Sequence, residues 1–153
     1  MDLRLGTEIL VPDESPPVQL DLRIPGIAKY WAQHSRSIRI TEHQPFSLPL
    51  RKLVLANTLE RVNFPLNPTD ICYSARVEGK SSLARCGILV HFTAPTIHAG
   101  FYGPITLEII NLGSHGFLLY PEMFICQLII EEVKGCPVQT PNQFRGQQNP
   151  AGT

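Results

Sequence analysis

The sequence predicts an all-β protein, a barrel or jelly roll of one domain, and three observations predict it. Apolar side chains alternate with small or polar ones in short runs along most of the chain, the period of half-buried strands. Turn residues recur between the runs: 14 prolines and 11 glycines in 153 residues suit short strands better than helices. No internal repeat and no heptad competes with this pattern, and the length suffices for one domain with a real core.

The elements follow in order. MDLRLGTEILV, from Met1 to Val11, alternates as a strand, and PDESPP from Pro12 is a turn or loop cluster. IAKYWAQ can form a short helical turn but carries no cap at either end. Trp31, the only tryptophan, reads as a partly buried anchor under a loop rather than as a ligand-stacking group. Strand alternation resumes at Ser37 with SIRITE, then PFSLP, then KLVLANTLERVNF. NFPLNPTD holds two prolines and must be loop or edge, and ICYSARVEG is again a strand, ending at Gly79. KSSLARCG can open a short helix, capped by Ser81 or Ser82 and ended by Gly87. GILVHFTAPTIHAGFYGPITLEIINLG reads as two strands around a loop with Gly100 and Gly103. FLLYPEMFICQLIIEEV supplies two more, with Pro121 and Glu122 as the turn. After Gly135 the chain is polar, Pro/Gly-rich and without period, hence flexible unless tied down.

The totals exclude several classes. Lys+Arg and Asp+Glu are both 13, so the formal net charge is zero, which argues against a general nucleic-acid binder while leaving room for a locally basic pocket. No apolar run approaches the ~20 residues of a membrane span, and no charged region followed by an apolar one marks a secretory signal. Cys72, Cys86, Cys126 and Cys136 form no C-x-x-C and have no histidine at zinc-like spacing. They read as buried free thiols in a reducing cytoplasm, Cys86 and Cys126 as small hydrophobes in or beside strands.

Between Ala75 and Asn111 the local rules break. Lys80, Ser81, Ser82 and Arg85 sit together just after Gly79, and Glu108 stands between Leu107 and Ile109 in an otherwise apolar strand. A carboxylate there is costly unless something pairs with it, and such mismatches mark functional sites. GKSS is no P-loop, because Ser74 stands where the first glycine of that motif belongs. On the residues alone, Glu108 is equally a structural ion-pair partner, Arg85 an interface salt bridge, and His98 an exposed loop histidine. The remaining histidines, His34, His43, His91 and His115, have no ligand spacing.

The segments ARVEGKSSLAR, VHFTAPTIHAGF and GPITLEIINLG resemble the dCTP deaminase family of the trimeric dUTPase-like superfamily. DLRLG, FLLYPEMFICQL and FRGQQNPAG extend the resemblance, in order, over nearly the whole chain. Relatives carry a further segment before DLRLG, whereas here Met1 stands almost on the motif. The resemblance implies a distorted jelly-roll β-barrel over residues 1–153, with 136–153 as a flexible closing segment, assembled as a homotrimer with active sites between subunits. It implies that Glu108 is the catalytic acid and base, that Arg85 stands beside it, and that Ser81 and the Ala94 carbonyl hold the attacking water. It places Lys80, Ser81 and Ser82 toward the triphosphate, with free backbone N–H groups at the helix start, Arg85 at the base, Phe101 under the sugar, His98 at sugar or phosphate, and Gln147 over the phosphates. Zinc deaminases of nucleobases use H-x-E with P-C-x-x-C, and neither is present, so the expected chemistry runs without catalytic zinc, with Mg²⁺ carried on the triphosphate.

The implied reaction is hydrolytic deamination of dCTP to dUTP and ammonia, supplying dUTP for dUMP and dTTP synthesis. The matching position in dUTPases is an aspartate that helps activate water against the phosphate; His98 does not replace an always-ionised carboxylate. The sequence therefore favours an enzyme that stops at dUTP. The alternatives are a bifunctional enzyme that goes on to dUMP and pyrophosphate, and a catalytically weak nucleotide-binding trimer. The partners expected are dCTP and further copies of the chain, with no nucleic acid and no membrane.

Overall fold

The computed structural model describes residues 1–14, 19–21, 23, 26–67, 71–135, 137–138 and 144–152. In chain order the elements are β1 (Asp2–Pro12), α1 (Ile27–Gln33), β2 (Ser35–Arg39), β3 (Phe46–Leu48), β4 (Leu53–Asn63), β5 (Cys72–Gly79), α2 (Ser81–Arg85), β6 (Ile88–Leu89), β7 (Thr96–Ile97), β8 (Tyr102–Asn111), β9 (Phe117–Leu119) and β10 (Phe124–Val133).

β1 organises the sheet because it changes partners along its length. Asp2–Arg4 pair with β10, the stretch from Leu5 to Leu10 pairs with β4, and Glu8–Pro12 pair with β2. Every pairing is antiparallel, and the sheet runs β6-β8-β4-β1-β10-β5-β7 with β2 beside β1, while β3 and β9 form a separate pair. The register shifts twice along β1, once at Leu3/Arg4 and once between Leu5 and Ile9, and such bulges sharpen the local twist. Gly6 sits in the second shift, where a Cβ would lie 2.9 Å from the Asn57 carbonyl oxygen, so only glycine allows β1 and β4 to approach there. Thr58 stitches the matching irregularity in β4: its buried hydroxyl donates to the Glu60 carbonyl (2.8 Å) and accepts from the Ile105 N–H (2.9 Å).

Leu3, Leu5, Ile9, Val54, Ala56, Leu107, Ile109, Ile125 and Leu128 fill the core. Each large one contributes about 1.5–3 kcal/mol through removal from water. β8 shows the alternation that places the site: Ile105, Leu107 and Ile109 are buried, while Thr106, Glu108 and Ile110 are half-buried on the opposite face. Glu108 therefore does not enter the core. The strand reads as apolar throughout because its outer face is also partly covered.

The long strands of the sequence reading are all present, and three details differ. The stretch after Gly87 forms three strands, β6, β7 and β8, the first two only two residues long. The N-cap of α2 is Lys80, not a serine, and no side chain caps the helix; Ser81 and Ser82 lie inside it. Gly87 does end it, at φ 87°, and its carbonyl accepts the Leu112 N–H at 2.8 Å, which clamps α2 to the end of β8. Cys72 and Cys126 are buried free thiols, and burial pushes the Cys126 thiol up to about 12. Cys86, by contrast, is an exposed free thiol because it caps the C-terminus of α2 on the surface. Cys136 lies outside the described residues. Among the described residues no helix is long and apolar enough to cross a membrane.

Candidate active site

A cavity of about 530 Å³ opens on the outer face of β4 and β8. Its floor is Leu53, Leu55, Thr106 and Glu108; the loop and turn from Ala94 to Phe101 form one wall, Pro12 and Trp31 another, and Phe144, Gln147 and Pro150–Gly152 a third. Leu10, Leu55 and Glu108 lie in register across three strands, so the carboxylate sits in the sheet face rather than on a loop.

Local pairing steers that carboxylate. β6 runs beside the end of β8, with Ile88 opposite Asn111 and Leu89 opposite Ile110. The Glu108 N–H bonds to the Val90 carbonyl at 3.2 Å, which carries the chain two residues on to Phe92, whose N–H donates to Glu108 Oε2 at 3.1 Å. One carboxylate oxygen is thus fixed by backbone. The other has no hydrogen-bond partner among the described residues, and Glu108 forms no ion pair there. A carboxylate held by one oxygen with the second open to a cavity has the form of a general base.

The loop and turn that face Glu108 are pinned at several points. The Val77 N–H bonds to the Pro95 carbonyl (2.9 Å), the Phe101 N–H to the His98 carbonyl (3.1 Å), and the Gly100 N–H to the Phe64 carbonyl (2.5 Å). Ala94 and His98 are exposed at the cavity mouth, whereas Phe101 is 7% exposed and serves both core and wall. The wall from residue 144 onward is tied down rather than loose. Gln147 is 5% exposed and donates from Nε2 to the Pro104 carbonyl at 2.8 Å; the Gly146 N–H bonds to the Tyr102 carbonyl at 2.9 Å; Pro150 is fully buried. The beginning of the tail, residues 139–143, lies outside the described residues.

Glu108, Ala94, His98, Phe101 and Gln147 are therefore brought together in one chain, and Lys80, Ser81, Ser82 and Arg85 are not. Those four lie on and before α2, and Arg85 borders a different depression, with Cys86, Gly113 and His115. Ser81, Ser82 and Arg85 are exposed and make no side-chain hydrogen bond or ion pair among the described residues. Lys80 is occupied: its Nζ is 3.0 Å from Asp2 Oδ2 and 5.7 Å from the centre of the Phe124 ring. The hydrogen bond from Lys80, then that from Gln127, holds the Asp2 carboxyl below its ordinary value. Among the described residues no three His, Cys, Asp or Glu side chains converge on a metal-sized site.

Among the lining residues that the sequence did not single out are Trp31, half-buried as expected but facing the cavity, and Leu53, Leu55 and Thr106 of the floor. Only the strand residues carried a signal, the period of two that puts Thr106 beside Glu108 on one face. Asn111 is a structural surprise: it is wholly buried and fully bonded, its Nδ2 donating to the Leu48 (3.3 Å) and His115 (2.8 Å) carbonyls and its Oδ1 accepting from the Gly113 N–H (3.0 Å).

The fold has a solved counterpart. It matches a solved 2'-deoxycytidine 5'-triphosphate deaminase from Agrobacterium tumefaciens with a TM-score of 0.66, over 88% of this chain and 39% of that one, at 19% identity. The sequence then narrows it. A family profile described as dCTP deaminase-like matches residues 1–133. The protein named "dCTP deaminase, dUMP-forming" from Coprothermobacter proteolyticus is 37% identical over all of this chain and 78% of its own length. A protein of the same name from Methanosphaera stadtmanae is 36% identical over 98% of this chain and 75% of its own. The chain belongs to the dCTP deaminase-like family.

Proposed function

We propose that this chain hydrolyses the amino group of dCTP in the Glu108 cavity and carries the product on to dUMP. The observation that carries the deaminase reading is the Glu108 carboxylate, fixed by the Phe92 N–H and facing the cavity that Ala94, His98 and Phe101 also line. Water held by the Ala94 carbonyl gives a proton to the free oxygen of Glu108 as it attacks C4 of the cytosine ring. Glu108 passes that proton to ring N3, then takes the proton of the new C4 hydroxyl and gives it to the amine, so that C4=O forms as the C4–N bond breaks, ammonia departs and the uracil ring remains. Arg85, Ser81 and Ser82 come from a second copy of the chain in a homotrimer, which explains why they stand exposed and unbonded in one chain. Mg²⁺ enters on the triphosphate as part of the substrate.

The names of two relatives at 37% and 36% identity support dUMP as the final product, by water attack that releases pyrophosphate. This departs from the product the sequence favoured. One observation supports the second reading, release of dUTP: His98, at the cavity mouth, supplies no fixed carboxylate for phosphate hydrolysis. The test is incubation with dCTP and Mg²⁺, with products separated by chromatography, beside a Glu108→Gln control. dUMP with pyrophosphate from wild type alone supports the first reading. Accumulation of dUTP alone selects the second. No product from a folded trimer that binds dCTP overturns both and leaves a nucleotide-binding trimer.

A further inference from the structure

The cavity has one wall that none of these assignments uses. α1 carries Trp31 onto it, and Pro12, His98, Phe101 and Glu108 line the same cavity. Trp31 is half-buried, so one part of the ring is packed and another faces the cavity.

The ring is held from behind. Tyr30 meets it edge-on, with centroids 6.0 Å apart and planes at 77°, and Tyr30 stacks on His34 at 4.1 Å and 17°. A ring nitrogen of His34 lies 2.9 Å from the Tyr30 carbonyl, and the Asp13 N–H bonds to the His34 carbonyl at 3.0 Å, which ties the end of α1 to the end of β1. α1 has only seven residues, no side-chain cap, and no acidic residue in its first turn or basic residue in its last. A helix that short does not stand alone in water, so its place over the cavity depends on what it packs against.

We infer that Trp31 is a substrate-contact residue, its indole face lying against the pyrimidine ring of the nucleotide. The inference rests on the reading of the cavity as a dCTP site. Two features favour a flat ring as the ligand there. The lining is largely apolar or aromatic (Trp31, Leu53, Leu55, Ile97, Phe101, Phe144), and its single carboxylate, Glu108, lies in the floor, where it can meet the edge of a flat ring.

Trp31 is the only tryptophan in the chain, so its fluorescence reports this wall alone. In the full-length Glu108→Gln variant, which does not consume its ligand, dCTP and deoxycytidine are expected to change the Trp31 emission, and inorganic tripolyphosphate, which has no ring, is not. In the otherwise wild-type protein, Trp31→Ala is expected to raise KM about tenfold, more than it lowers kcat, the scale of one lost base–aromatic contact. Trp31→Phe keeps a flat ring and recovers most of the affinity, while Trp31→Leu, equally apolar, does not. Equal recovery by Phe and Leu would show simple packing and overturn the inference, and this comparison stands even where Trp31→Ala fails to fold. An emission change as large with tripolyphosphate overturns it as well. Unchanged emission with deaminase turnover intact overturns the Trp31 contact alone, whereas neither binding nor turnover overturns the contact and the dCTP reading together.

Discussion

Two parts of the molecule carry its chemistry-bearing residues, and they are built differently. The Glu108 cavity is finished within one chain: a carboxylate steered by backbone, a pinned facing wall, and a tail seated through Gln147 on the Pro104 carbonyl. The α2 segment is unfinished. The side chains of its serines and Arg85 are exposed and make no hydrogen bond or ion pair among the described residues, although the helix itself is clamped at Gly87. A rigid backbone presenting unbonded polar side chains is what a site shared between copies requires, since each copy lends a preformed edge to the next.

The largest effect expected falls on the finished side. Glu108→Gln keeps the shape and the acceptor for the Phe92 N–H but removes the base, and turnover of dCTP should fall by about 10²–10⁴-fold, read as kcat by product chromatography. Loss of less than tenfold would move the base elsewhere in the cavity. The next experiment breaks the comparison directly. Glu108→Gln and Arg85→Ala are each expected to be inactive, yet unfolded and refolded together they should regain activity. If each site takes Glu108 from one copy and Arg85 from another, random mixing leaves about a quarter of sites intact. Mixtures as dead as their components would place both residues in one chain's site and end the shared-site reading.

How much of this was legible in the sequence depends on how local each feature is. β1, β4, β5, β8 and β10 were readable because each is a run of eight to eleven residues in which apolar and polar side chains alternate over at least part of the length. The cap of α2 was misread because Lys80, not a serine, takes the position between the end of β5 at Gly79 and the helix. Lys80 stays extended at φ −83° and ψ 130°, so the helix starts after it and the serines fall inside. Glu108 was legible as an anomaly, and the resemblance gave it a role, but its steering by Phe92 depends on β6 lying along β8. Trp31 was expected to be partly buried and is, but nothing near it in sequence says that α1 faces a cavity floored by β4 and β8. The tail read as flexible unless tied down, and composition cannot foresee the tie, an amide of Gln147 finding a carbonyl 43 residues away.

Stability separates the two regions again, on a smaller scale. Leu107 is wholly buried directly beside Glu108, and Leu107→Ala should cost about 2–5 kcal/mol in urea unfolding through lost burial and the cavity left behind. Ser82→Ala, on the exposed α2, should stay within about 0.5 kcal/mol while weakening dCTP binding. A large stability loss from Ser82→Ala would mean that α2 is part of the fold's support rather than an edge offered to a second copy.

The smallest effect concerns charge, and it sharpens the contrast between cations used inside the chain and those left open. Arg4 is used: its Nε lies 2.8 Å from Glu60 Oε1, its backbone N–H donates to Glu60 Oε2 at 2.7 Å, and its Nη1 lies 3.1 Å from Glu122. Partial burial raises the Glu60 carboxyl, but the side-chain and backbone hydrogen bonds from Arg4 outweigh it, so Glu60 titrates below its ordinary value. A carboxyl whose folded value is depressed adds stability that is fully present above its unfolded value and is lost as pH falls through the folded one. Glu60→Gln should therefore cost about 1 kcal/mol at neutral pH, where the pair is charged and only partly exposed. That gap should close as pH drops below the ordinary carboxylate range, because wild type then loses what the variant never had. Urea midpoints of both proteins across that range read the difference. Arg85→Ala, with no carboxylate beside it among the described residues, should show no such pH-dependent gap in the unassembled chain. A gap of the same size would mean that Arg85 has an internal partner and is not held open for a neighbour.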